Sequence, residues 1–317
     1  MDRPNHPPRR ITGVAGLLGA LRNLGLVGHA ADDTRLQHFD ADDGQSIPVR
    51  VLGEAAQGPP VVLVHGLGCS HRHWMPVGKR MCRHHRVFAW DARGHGSCRP
   101  QPGSAITLAR LARDLRQLLD HFALDRAVLV GHSMGALTVL QYLQDHGTER
   151  VASVALVDQS PRIVTDEHWR LGMFGGCSAQ MLMGLIAGAR RDLAETVVHE
   201  VEAAAGGWLQ RRLAPDAMLG RWLRAWLHRI DPSALLDLAE SLATADLRTV
   251  LPMLDVPLWV VLGGQSAHYA GVPLDRYYRR TVPHAAVTVY DRSGHSPHVA
   301  EPGRFAQELM RFLEDHR

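Results

Sequence analysis

The pentapeptide Gly131-His132-Ser133-Met134-Gly135 constrains this chain more than any other stretch. The apolar residues 127–130 lead into it, and residues 134–144 follow with helical spacing. A buried strand must therefore become a helix within one or two residues. A glycine on each side of the serine removes the Cβ atoms that such a turn would crowd. The serine is pushed out at the strand end, with the amides of the first helical turn behind it. A junction of this kind needs a sheet on one side and a packing helix on the other, so an α/β architecture is expected.

The same rhythm recurs along the chain. Residues 36–39 and 47–52 read as strands joined by the turn Asp42-Asp43-Gly44. Short, almost wholly apolar runs at 61–65, 86–90, 127–130, 151–157, 258–262 and 286–290 suit buried parallel strands. Residues 107–122 place Leu108, Leu111, Leu115, Leu118 and Leu119 on one helical face, and 305–315 closes the chain as a helix. These readings predict a mostly parallel, eight-stranded sheet flanked by helices.

One interval breaks the pattern. No strand is legible between Asp158 and Val256, and the segment is rich in large apolar residues, among them Trp169, Met173, Phe174, Met181, Met183, Trp208, Trp222 and Trp226. We expect a helical cap at 159–249, inserted after the sixth strand. The core then comprises 35–158 and 250–317, with an N-terminal arm or helix at 1–34. Within that arm, Arg9 and Arg10 precede an apolar stretch, which has some likeness to an export signal; Arg22 and Asn23 interrupt it, and it is too short to span a bilayer. The expectation is a cytoplasmic protein without stable membrane insertion, export being the minor alternative.

Composition narrows the partners. The formal net charge of the 317 residues is +3, Lys79 is the single lysine, and the arginines are scattered, so no nucleic-acid surface is expected. Cys69, Cys82, Cys98 and Cys177 form neither a CxxC pair nor a disulfide framework. His71-Arg72-His73 and His84-His85 have no acidic or cysteine companions, so no metal and no cofactor are expected. A homodimer is compatible with the sequence.

Three segments carry chemistry. Ser133 is the candidate nucleophile. His65-Gly66-Leu67-Gly68 follows an earlier strand; the backbone amides of Leu67 and Met134 are candidates to hold an oxyanion. In Ser293-Gly294-His295-Ser296-Pro297-His298, after the last strand, His295 is the candidate general base and His298 a pocket-lining or structural residue. His65 is expected to anchor its loop, and Asp91 and Arg93 to brace the segment beside it through hydrogen bonds and an ion pair. Cys69 and Cys98 are expected near the site as inert buried thiols.

These segments, together with Asp91-Ala92-Arg93-Gly94-His95-Gly96, resemble the α/β-hydrolase superfamily over roughly residues 35–317. The resemblance implies the α/β-hydrolase fold and a serine, histidine and acid acting together. In most members the acid follows the penultimate strand; here that strand runs into Gly263-Gly264-Gln265-Ser266, with a serine at the expected place. Asp158 ends the strand before, 25 residues after Ser133. Haloalkane dehalogenases, some small bacterial esterases and a zearalenone lactonase carry their acid at that strand end. The small esterases also have a segment similar to 263–269. Asp158 is therefore the leading candidate acid and Asp275 the alternative.

A serine nucleophile argues against the dehalogenase and epoxide chemistries, which use aspartate, and for acyl transfer. The expectation is an apolar small-molecule substrate, an ester, lactone or thioester, lying against Trp169, Met173, Trp222 and His298. A carbon–carbon bond hydrolase, or a non-hydrolytic lyase, cyclase or cofactor-free oxygenase on the same scaffold, is the alternative. A non-enzymatic receptor is disfavoured by the complete set Ser133, Asp158 and His295.

Overall fold

The computed structural model describes residues 36–101, 106–205, 213–228, 232–269 and 271–316; the expected arm at 1–34 and Trp208 lie outside them. In chain order the elements are β1 (Leu36–Asp40), β2 (Ser46–Leu52), β3 (Gly58–Val64), α1 (Met75–Met81), β4 (His85–Trp90), α2 (Leu108–His121), β5 (Ala127–His132), α3 (Met134–His146), β6 (Val151–Val157), α4 (Ala179–Arg191), α5 (Leu193–Ala205), α6 (Met218–Leu227), α7 (Ser233–Thr244), β7 (Leu258–Gly263), α8 (Leu274–Thr281), β8 (Ala286–Tyr290), α9 (Pro297–Ala300) and α10 (Pro302–Asp315).

The eight strands form one sheet in the order β1-β2-β4-β3-β5-β6-β7-β8. The β1–β2 and β2–β4 pairs are antiparallel and all others parallel. Period-two alternation splits the strands between two apolar layers. Val62, Val64, Ala127 and Leu129 join the layer packed by α2 and α3, whereas Val61, Leu63, Val128 and Val130 join the layer of Trp74, Met81, Phe305 and Leu309. This is why the parallel strands read as continuous apolar runs: both their faces are covered.

Helix α2 illustrates how sequence becomes packing. Thr107 caps it, its hydroxyl accepting from the Arg110 amide at 3.2 Å. Leu108, Leu111, Leu115, Leu118 and Leu119 are all buried, each contributing roughly 1.5–3 kcal/mol relative to exposure. Between β6 and β7 the described residues hold no strand, only helices α4 to α7 and two short 3-10 turns, at Met173–Gly175 and Leu251–Met253.

Chain order reverses between β3 and β5, and a parallel sheet opens a crevice at the carboxyl ends of strands where this happens. The register aligns those ends: Val64 lies opposite Gly131, and His132 opposite Val157. Val157 in turn lies opposite Val261, and Gly263 opposite Tyr290. The loops after β3, β5, β6, β7 and β8 therefore emerge side by side.

Candidate active site

Strand β5 continues two residues beyond its apolar run, because Gly131 and His132 keep the ladder pairing with β6 up to the serine itself. Ser133 then sits at φ +52°, ψ −120°, a conformation that L-residues rarely adopt. The flanking glycines are required sterically. A Cβ on Gly131 would lie 2.4 Å from the Gly135 carbonyl oxygen, and one on Gly135 would lie 2.2 Å from that of Val64. The Ser133 amide donates to the Val157 carbonyl at 3.1 Å, and its own carbonyl accepts from Ala136 and Leu137 as α3 begins.

The His65 loop packs directly against this turn. A Cβ on Gly66 would meet the His132 ring at 2.8 Å and the Ser133 Cβ at 3.3 Å, so only glycine allows the close approach. His65 anchors the loop as expected: its Nδ1 bonds the Gly66 carbonyl at 2.8 Å, and its Nε2 accepts from the Ala92 amide at 3.0 Å. Burial holds the ring neutral, its pKa lowered to about 3. Asp91 stabilises the adjoining segment by accepting from the His71 amide and ring and from the Ser97 amide and hydroxyl, all at 2.7–2.8 Å. Arg93 pairs instead with Asp114 and Asp43, and is itself fully buried.

Asp158, at the end of β6, is fully buried and adopts φ +50°. Its Oδ1 accepts from the Gly263 amide at 2.8 Å; its Oδ2 accepts from the Ser266 hydroxyl at 2.5 Å and from His295 Nδ1 at 2.7 Å. The structure thus joins His295 to Asp158, whereas Asp275 stands in the first turn of α8. Burial pushes the Asp158 carboxyl up to about 6, opposed by the Ser266 hydroxyl and the Gly263 amide. Burial pushes the His295 imidazole down to about 4. At pH 7 the pair is an ionised carboxylate and a neutral imidazole, the state in which a histidine can take a proton.

The chain matches the alpha/beta hydrolase family over residues 61–308. It belongs to the α/β-hydrolase family. This hydrolase is 27% identical over 260 residues to a pimeloyl-[acyl-carrier protein] methyl ester esterase of Vibrio vulnificus, covering 81% of this chain and 94% of that one. Its fold is similar to that of an esterase from Exiguobacterium antarcticum, with a TM-score of 0.71 at 21% identity over 88% of this chain and all of the other. A bromoperoxidase from Bacillus anthracis has a TM-score of 0.70 at 22% identity over the same shares.

The residues expected along a substrate lie in three different settings in the hydrolase. Trp169 is buried: its indole N–H donates to the Arg162 carbonyl at 2.9 Å, its ring meets Tyr277 edge-on, and the Arg248 guanidinium lies 5.1 Å above it. It lines an open cleft of about 660 Å³ together with Tyr277, Asp246 and Arg248. Met173 is partly buried against the main core, its amide bonded to the Ile163 carbonyl. Trp222 is 49% exposed on α6. His298 is buried under Trp74, ring centroids 4.0 Å apart.

Among the cysteines, Cys69 donates its amide to the Gly66 carbonyl and lies buried beside the loop; Cys98 packs instead against Gln45 and Ser46. Burial pushes both thiols up to about 12, far from a thiolate at neutral pH. No helix among the described residues is long and apolar enough to cross a membrane.

Two residues escaped the sequence reading. His132 donates from Nε2 to the His295 carbonyl at 2.8 Å, tying the loop that carries His295 to the serine turn. His268 brings its ring against that of His295, centroids 4.0 Å apart and tilted by 46°. For His132 a signal existed, since it lies inside the Ser133 pentapeptide. His268 offered none, because its contact is made across 27 residues of chain.

Proposed function

We propose that the protein is a serine hydrolase that cleaves an apolar ester, lactone or thioester through an acyl-enzyme on Ser133. The reading rests above all on the 2.7 Å hydrogen bond between His295 and buried Asp158, at the same sheet edge as the outward-turned Ser133. In this mechanism His295 Nε2 takes the Ser133 hydroxyl proton as Oγ attacks the substrate carbonyl carbon. The Leu67 and Met134 amides hold the resulting oxyanion, and Asp158 stabilises the imidazolium. His295 then delivers its proton to the leaving oxygen or sulfur, the tetrahedral intermediate collapses, and the acyl group remains on Ser133. Water, deprotonated by His295, releases the acid and restores the serine. Residues 159–249 act as the cap that admits the apolar group, with Trp169 contributing to its recognition.

The relation to the pimeloyl-[acyl-carrier protein] methyl ester esterase supports an ester substrate with an extended acyl chain. Initial rates on p-nitrophenyl esters of two to eight carbons, wild type beside Ser133→Ala, test the reading. Turnover that falls to background in the variant supports it. A folded wild type inert on the whole series sinks the simple esterase reading and moves a lyase, cyclase or cofactor-free oxygenase to first place.

A further inference from the structure

The imidazole of His295 is flanked by two other histidines. His132, from the end of β5, approaches with ring centroids 4.8 Å apart at 52°. His268, from the loop after β7, comes closer, at 4.0 Å and 46°. The placement of His268 is fixed by the polar group that also grips the acid. The Ser266 hydroxyl, which donates to Asp158, lies 3.3 Å from both the His268 and the Tyr269 amides. The His268 ring also stacks on Phe174, centroids 5.6 Å apart at 26°, and its carbonyl accepts from the Phe174 amide at 2.7 Å. The Nδ1 of His268 is buried with no hydrogen-bond partner among the described residues. The His268 ring therefore makes close contacts with both Phe174 and His295.

We propose that His268 is a positioning residue: clamped by Phe174 and Ser266, its ring holds the His295 imidazole in the orientation that bonds Asp158. The proposal rests on the reading of His295 as general base. A ring at this distance does two things. It blocks the rotation that would take Nδ1 off the carboxylate, and it keeps water from the imidazole face. Water exclusion favours the neutral form of His295, which is the working form of a base. The groups facing His295 are the Asp158 carboxylate, His132 and His268, with His298 beyond His132. All three of these neighbouring histidines are themselves kept neutral by burial. None of them therefore places a second positive charge beside His295 when it takes the serine proton.

His268→Ala and His268→Phe separate this role from simple packing. In the alanine variant water reaches His295, its protonated form is favoured, and the acid limb of the pH–rate profile moves upward. We expect kcat at pH 7 to fall about 10- to 100-fold, the range that loosened positioning costs, with a smaller change in KM. His268→Phe keeps the ring face and should retain both the profile and most of the rate. Histidine ring NMR titration of wild type and variants gives the His295 pKa without any turnover. An unchanged His295 titration and acid limb in His268→Ala, or a phenylalanine variant as impaired as the alanine one, overturns the proposal. Failure of the hydrolase reading is recognised separately, by turnover that survives Ser133→Ala.

Discussion

Ser266 donates its hydroxyl to Asp158 Oδ2 at 2.5 Å, the same oxygen that accepts the His295 Nδ1–H. The serine that stands where the sequence resemblance implies an acid thus bonds the carboxylate at the end of the neighbouring strand. A hydrogen bond to the ionised form lowers a carboxyl pKa. Ser266→Ala should therefore raise Asp158 further above about 6 and shift the acid limb of kcat/KM to higher pH. The expected result is a several-fold loss at pH 6.5 that narrows by pH 9. Equal loss at every pH would mean that Ser266 acts only through packing.

Exchanging Asp158 itself should have a larger effect. Asp158→Asn keeps the size of the side chain but cannot stabilise an imidazolium, so kcat should fall by about 10³- to 10⁴-fold with little change in fold. Asp275→Asn, in the first turn of α8, should leave kcat within about two-fold of wild type. Rates on one p-nitrophenyl ester, with circular dichroism of each variant, check both.

The glycines of the serine turn should answer to stability more than to chemistry. In Gly135→Ala the new Cβ would overlap the Val64 carbonyl oxygen at 2.2 Å, and a backbone atom cannot step aside without disturbing β3. A loss of about 1–3 kcal/mol or more is expected, read as a lower urea midpoint with unchanged slope. Gly66→Ala meets the His132 ring and the Ser133 Cβ instead, and should reduce activity before it reduces stability.

Acid should unfold this protein through its histidines. Burial holds His65 and His268 down to about 3 and His295 to about 4, and also lowers His95, His132 and His298, against an ordinary 6.5. Below pH 6.5 the unfolded chain binds protons that the folded one refuses, so stability falls as pH drops from about 6.5 towards 4. His295 alone withdraws up to roughly 3 kcal/mol over that window. Asp158, raised from 3.8 to about 6, and Asp114, also raised by burial, act in the opposite sense, two groups against six. Urea unfolding at pH 7.5, 6 and 5 should give successively lower midpoints; a flat series would contradict the neutral buried set.

The sequence determined the architecture and the residues from which the proposed site is built. Apolar runs spaced by helices specify a covered parallel sheet, because burial on both faces leaves no other pattern. The pentapeptide around Ser133 specifies its own strained turn, because only glycine at 131 and 135 avoids the Val64 and Gly135 carbonyls. What lay beyond the sequence was which distant groups would meet. The hydrogen bond between Asp158 and His295 spans 137 residues and depends on the register of β6, β7 and β8. The contact of His268 with His295 and the burial of Trp169 under Arg248 depend likewise on how loops settle after the sheet has formed. Local patterning encodes the burial of a residue, but the partner facing it is set by side chains from several strands packing at one sheet edge, and only the tertiary structure decided that.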